Sequence, residues 1–271
     1  MTMRSMAKQW VPPIILQRIK PLLRSTIYFS GTYPSWEAAR AQTSGYDAAL
    51  ILERVRDATL KVRDGEAKYE RDSVIFNEIQ FSFPLLAGLL RAASENDGRL
   101  CVLDYGGSLG SSYFQCMNFL SELPSLNWGV VEQAHFVECG KSLFQSEQLQ
   151  FFDGIAECVR ETGPNVALLS SVLQYVPEPY KVMEELMTAG IPYFVIDRTP
   201  FTDRSADLIT IQHVPPSIYP ASYPCHMFGR ESFADRFRDR YELIAEFEGA
   251  DGNAIASGVP FSFGGMILRR S

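Results

Sequence analysis

Short, almost uninterrupted apolar runs separated by longer segments of helical period organise the C-terminal two-thirds of the chain. Leu100–Asp104 (LCVLD), Asn127–Glu132 (NWGVVE), Leu149–Phe152, Val166–Ser170 and Tyr193–Asp197 (YFVID) predict strands, with helices over Gly110–Leu120, Gln133–Leu143 and Pro179–Ala189. Apolar strands alternating with helices indicate a parallel sheet covered on both faces. Tyr241–Glu246 and Met266–Arg270 then close the chain as a strand pair. The pattern predicts an α/β fold: a doubly wound, mainly parallel seven-stranded sheet of Rossmann-like type.

The preceding region reads differently. Helical period covers Trp36–Gln42 after a capping Ser35, then Tyr46–Val62 and Ser73–Gln80, and a helix opened by Ser82 with Pro84 in its first turn. No clear strand shows before the polar break Ser94–Arg99. Residues 1–97 are therefore expected to form a helical N-terminal cap or lid, and 98–271 a ligand-binding domain. Trp36, Tyr33 and Tyr46 are candidate walls of the covered site, or core aromatics between lid and sheet.

Charge changes the picture at the N-terminus. The chain of 271 residues carries 25 basic and 32 acidic side chains, net −7, which argues against a binder of nucleic acid. Residues 1–30 nevertheless hold Arg4, Lys8, Arg18, Lys20 and Arg24 with no acid, so the remainder carries −12. With Trp10, Ile14, Ile15, Ile19 and Leu22 interleaved, this stretch suits peripheral contact with a membrane surface; the competing readings are a helix packed on the domain and a frayed end. Pro12, Pro13 and Pro21 interrupt it, and it lacks a secretory cleavage site, so the expected location is the cytoplasm, peripheral to the inner membrane face where that contact forms. Five cysteines without a CxxC pair and three scattered histidines offer no metal site, and free thiols are expected. Composition leaves the oligomeric state open.

The sharpest motif is Asp104-Tyr-Gly106-Gly107-Ser-Leu-Gly110, where the first strand passes into its helix. Glycines there let the backbone approach a ligand beside unpaired helix N–H groups. The GxGxxG spacing of a dinucleotide site is absent. Asp104 on the strand tip suits a cationic group such as an ammonium, and Glu132, ending the second strand, suits both hydroxyls of an unphosphorylated ribose. An ammonium, a ribose and no phosphate describe S-adenosylmethionine. A nicotinamide-dependent oxidoreductase and a non-catalytic protein that binds this donor or S-adenosylhomocysteine are the alternatives.

DYGGSLGSSY (104–113), WGVVEQ (128–133), LLSSVLQYVPEP (168–179), VIDRTPF (195–201), VPPSIYPASYP (214–224) and GTYPSWEAA (31–39) give the chain a further likeness. It resembles bacterial class I S-adenosylmethionine-dependent methyltransferases often associated with surface-polysaccharide gene sets. The resemblance implies the class I methyltransferase fold, the cofactor and methyl transfer, and leaves the acceptor open. By motif position it places Asp104, Gly106, Gly107 and Gly110 around the methionine part and Glu132 on the ribose. Ser170, Ser171 and Gln174 fall between cofactor and acceptor. Asp153 is either an adenine contact or a solvated turn acid.

The stretch after the fifth strand is expected to be irregular, stiffened by Pro215, Pro216, Pro220 and Pro224, and to recognise a small-molecule or glycan-type acceptor. Arg198, Thr199 and Gln212 are the candidate acceptor contacts, Arg198 as a partner for a carboxylate or phosphate or else as a structural ion pair. If the acceptor is a hydroxyl, a base helps; His213 is the first choice and Tyr223 the second, with Tyr175 and His226 weaker.

Overall fold

A computed structural model describes residues 27–45, 48–216, 218 and 221–271. The basic segment at the extreme N-terminus and Tyr46 lie outside the described residues. In chain order the elements are β1 (Tyr28–Tyr33), α1 (Trp36–Arg40), α2 (Ala48–Arg63), β2 (Tyr69–Arg71), β3 (Val74–Phe76), α3 (Phe83–Ser94) and β4 (Arg99–Tyr105). There follow α4 (Ser111–Leu120), β5 (Ser125–Val131), α5 (Ala134–Leu143), β6 (Leu149–Phe152), α6 (Ile155–Thr162), β7 (Val166–Ser170) and α7 (Pro179–Thr188). The chain ends with β8 (Tyr193–Thr202), β9 (Leu208–Val214), β10 (Ala221–Gly229), α8 (Arg230–Asp235), β11 (Tyr241–Ala256) and β12 (Val259–Arg270).

The predicted parallel strands are present, in spatial order β6-β5-β4-β7-β8, followed by β12 antiparallel to β8 and β11 antiparallel to β12. Alternation explains why these strands are apolar throughout: Val166, Leu168, Tyr193 and Val195 pack with α3 and α4, while Ala167, Leu169, Phe194 and Ile196 pack with α7 and α8 on the other face. Both faces are therefore buried. The helix α6, unread in the sequence, covers part of the second face through Ile155 and Cys158.

Beyond β11 the sheet continues through β1, β9 and β10, making ten strands, and β10 returns to pair with β8 through Phe228–Phe201 and Gly229–Thr202. Strands β8, β12, β11, β1, β9 and β10 thus close into a six-stranded ring. This half corrects several expectations. Residues 28–33 are not part of a helical cap: β1 pairs with both β9 and β11 inside the main sheet. The segment after β8 is a hairpin of β9 and β10, not an irregular loop. Pro224 is tolerated there because β10 has only β9 beside it at that point, leaving a free edge.

The helix expected over Ser73–Gln80 is also absent. Residues 69–76 form a hairpin, with Tyr69 opposite Phe76 and Arg71 opposite Val74. Asp72 and Ser73 at its tip take φ of 52° and 68°, the left-handed pair that a two-residue hairpin turn requires. The helices Trp36–Arg40 and Ala48–Arg63 do form, the first capped by Ser35 Oγ accepting from the Ala38 N–H at 3.2 Å.

Candidate functional site

The carboxyl ends of β4, β5, β7 and β8 open into one cleft of about 2270 Å³, roofed by the β2–β3 hairpin and extending to the ring at Gln212, Tyr223 and Phe263. Its floor is the turn after β4. Gly106 and Gly110 have φ of 71° and 93°, and Ser108 joins them at 57°. The Gly106 N–H donates to Val131 O at 2.9 Å, binding the turn to β5. A Cβ on Gly106 would overlap the Val172 side chain, and one on Gly107 would overlap the Asp104 carboxyl. Gly106, Gly107 and Ser108 line the cleft. Gly110 does not; it is the N-cap of α4, and the left-handed conformation it allows is its role.

Asp104 requires a correction. It is 1% exposed and lies behind the turn, outside the cleft lining, with Oδ2 accepting from Trp128 Nε1 at 3.0 Å. Burial pushes its pKa up to about 7, against the Trp128 hydrogen bond and with Glu132 adding to the rise. Its carboxyl lies against Gly107 and supports the glycine turn. Glu132 does face the cleft at the end of β5, where its carboxylate accepts from the Gln133 N–H at 2.7 Å and also meets the Ser108 backbone. Burial raises its pKa, and those two backbone hydrogen bonds oppose the rise.

Ser170 and Ser171 line the cleft at the end of β7, and Ser171, at φ 56°, donates its N–H to Asp197 O at 3.0 Å. Gln174 does not reach the cleft. It is buried beneath the turn, its Nε2 donating to Ser171 Oγ and Arg198 O at 3.2 Å each, so it positions these two residues from below. Asp153 lines the cleft at the β6 end as an exposed acid 4.0 Å from Lys141.

On β8 the pairing with β12 shifts register between Ile196 and Thr199, and Arg198 takes φ 51°. This bulge lets two consecutive residues, Asp197 and Arg198, face the cleft, which regular strand alternation forbids. Thr199 is thereby turned inward, wholly buried, with Oγ1 donating to Asp197 O at 3.3 Å, so it is no acceptor contact. Arg198 lines the cleft but its fork is engaged: Nε donates to Asp251 and Nη2 to Asp72, both at 3.1 Å. Arg71 reaches the same Asp251 at 3.5 Å. Two cations and two anions balance, so Arg198 ties the roof hairpin to β11 instead of offering a free charge to an acceptor. Asp197 is 2% exposed, its pKa raised by burial against the pull of Arg198.

Strand parity decides the base candidates. Gln212 and Val214 face the cleft, while His213 points to the opposite side of β9. There it stacks on Tyr28 at 4.4 Å and shares a 2.8 Å hydrogen bond with Ser30 Oγ. The geometry removes His213 from the site. Gln212 is held between two phenols: Tyr175 donates to its Oε1 at 3.0 Å, and its Nε2 donates to Tyr223 Oη at 3.1 Å. Tyr175 and Tyr223 meet edge to face at 5.3 Å. Burial pushes the Tyr175 pKa strongly up, so that phenol stays protonated. His226 is buried behind the cleft wall, stacked between Trp36 and Phe228 with its pKa lowered by burial.

Glu70, on β2, belongs to the site and was missed. It is 2% exposed yet lines the cleft; Oε1 accepts from Ser111 Oγ and Oε2 from the Ser73 N–H at 3.3 Å. Its segment reads as neither strand nor motif, and only the hairpin brings it against α4. Among the described residues no group of His, Cys, Asp and Glu is placed to hold a metal, and no helix is long and apolar enough to cross a membrane.

No family model and no curated protein matches the chain. Among solved structures it is similar to the N-terminal domain of EvdMO1, crystallised in the presence of SAH and D-fucose, at 12% identity over 84% of this chain and 98% of that one, TM-score 0.47. It is also similar to Burkholderia thailandensis 1,6-didemethyltoxoflavin-N1-methyltransferase with bound 1,6-didemethyltoxoflavin and S-adenosylhomocysteine, at 13% identity over 84% and 95%, TM-score 0.42. A third, magnesium protoporphyrin IX methyltransferase from Synechocystis PCC 6803 with bound SAM, is 12% identical over 83% and 100%, TM-score 0.42. Likenesses this distant assign no activity to the chain.

Proposed function

We propose that the chain is an S-adenosylmethionine-dependent methyltransferase, an O-methyltransferase acting on a small-molecule or glycan-type acceptor. The observation that carries this reading is the pairing, at the edge of one cleft, of a turn with no room for a Cβ at Gly106 or Gly107 with an acid at the next strand tip. The cradle leaves backbone N–H groups to a carboxylate, and Glu132 can accept two ribose hydroxyls and would repel a phosphate. The donor set fits an unphosphorylated nucleoside carrying an amino acid.

When bound, that donor supplies an electrophilic methyl group on a sulfonium. The chain's part is to hold the acceptor atom in line with it and to exclude water, and alignment of this kind contributes up to about 7–11 kcal/mol. The β2–β3 hairpin covers part of the cleft, and Gln212 with Tyr223 places polar groups where β7 and β8 end and the ring begins. An amide and a phenol beside the aromatic wall at Trp36 match a hydroxyl-bearing acceptor. We place the reaction in the cytoplasm, with the basic segment that precedes β1 bringing the enzyme to the membrane where lipid-linked glycans are assembled.

Isothermal titration with S-adenosylhomocysteine and with NAD(H) tests the cofactor: binding of the first alone is expected, and binding of NAD(H) alone would replace this reading with an oxidoreductase. Transfer of labelled methyl from S-adenosylmethionine into lipid-linked, polysaccharide and soluble fractions tests the acceptor. Label confined to soluble metabolites would remove the glycan and the membrane role together, and cofactor binding without any transfer would make the chain a binding protein.

A further inference from the structure

We propose that Glu70, reached only through the β2–β3 hairpin, holds the ammonium group of the methyl donor's amino-acid end. The proposal rests on the cofactor reading above and adds the residue that supplies the charge expected of Asp104. A zwitterionic amino acid lying along the glycine turn needs an anion beside its ammonium. Asp104 cannot serve, since its carboxyl lies behind Gly107 and accepts the Trp128 indole. Asp72 and Asp251 are both engaged by Arg198. Asp197, a further buried acid at the strand tips, has the adjacent Arg198 guanidinium as its strongest stabilising influence. At Glu70 the pull of Arg198 is weaker than the opposing push of Asp72.

Glu70 differs from all of these. It is buried to 2% exposure, it lines the cleft, and no ion pair reaches it among the described residues. Its hydrogen bonds come from neutral donors, the Ser111 hydroxyl and the Ser73 N–H, which fix its orientation without neutralising it. Ser111 is the residue immediately after Gly110, so the turn runs from Ser108, beside the ribose acid Glu132, to Ser111, beside Glu70. The two carboxylates thus bracket the turn, one placed for the sugar and one for the amino-acid end. A buried carboxyl held up at about 7 by desolvation, with Ser111 opposing, is also a group that a cationic ligand would return to its ionised form.

The test compares S-adenosylhomocysteine with its deaminated analogue by titration calorimetry, on the full chain and on Glu70→Gln. Wild type is expected to bind the amine-bearing ligand roughly tenfold or more tightly than the analogue, as hydrogen bonds between charged groups allow. Glu70→Gln should lose that preference while binding the analogue as well as wild type does. Equal loss for both ligands would make Glu70 a structural anchor of the hairpin and overturn the proposal, as would an unchanged preference. Where Glu70→Gln does not fold, Glu70→Asp replaces it: a reduced preference supports the contact and an undiminished one overturns it. Failure of wild type to bind S-adenosylhomocysteine at all is a separate result, which removes the cofactor reading itself.

Discussion

The open half of the sheet and the ring it runs into use their residues by different rules. In β4, β5 and β7 both faces are buried, so what lines the cleft is the strand tip and the turn after it: Gly106, Gly107, Glu132, Ser170 and Ser171. On β9 of the ring, one face looks into the cleft and the other looks away. There, parity along the strand decides function, and Gln212 and His213 are separated by it although they are neighbours. A motif is therefore a good guide to the first half and a poor guide to the second.

Substitutions in each half put this contrast to the test. The largest effect is expected at the turn. Gly107→Val places side-chain atoms where the Asp104 carboxyl sits, and overpacking there should lower affinity for S-adenosylhomocysteine roughly a hundredfold in calorimetry; wild-type binding would mean the turn is not the cradle. Next comes Arg198→Met, which unpairs Asp72 and leaves Asp251 with Arg71 alone. These pairs are partly solvent-screened, so about 1–2 kcal/mol of stability should be lost, seen as a lower Tm and as faster proteolysis within residues 69–76. An unaltered hairpin would return Arg198 to the role of an acceptor-binding cation.

Within the ring, Gln212→Ala should slow methyl transfer about tenfold by removing the group between Tyr175 and Tyr223, whereas His213→Ala should leave the rate within about twofold. The reverse order would sink the parity argument. The smallest signal is a slope. Asp104 is held up to about 7 in the folded protein by burial, so the native state keeps a proton that the unfolded chain has released above about 4. Its contribution to stability is complete below that lower pH and disappears as pH rises through about 7. Asp104→Asn, which still accepts from Trp128, should flatten the fall of Tm over this window, and an unchanged slope would show that the carboxyl does not titrate as its burial implies.

Much of the open half was legible, because buried parallel strands must be apolar on both sides and helices between them must carry one apolar stripe. Val166–Ser170 and Leu149–Phe152 were read to the residue. The ring was not legible. Tyr28–Tyr33 is a half-polar strand whose partners are remote in sequence, and in the β9–β10 hairpin the prolines near 220 argue locally for a loop. The hairpin at 69–76 was lost for a related reason: three-residue strands show no period, and Asp-Ser at its tip is a weak turn signal beside Asn-Gly.

By itself the sequence determined which segments fold as the buried sheet, where the glycine turn falls, and that an acid stands at the end of the second strand of that sheet. These follow from short-range requirements: apolar period, the left-handed conformation open to glycine, and the position of a residue on its own strand. Which carboxyl faces the cleft depends on long-range packing. Asp104 is turned behind the turn by the Trp128 indole and Glu70 is carried in by a hairpin, because a side chain's direction depends on what packs behind it, and that partner lies far away along the chain.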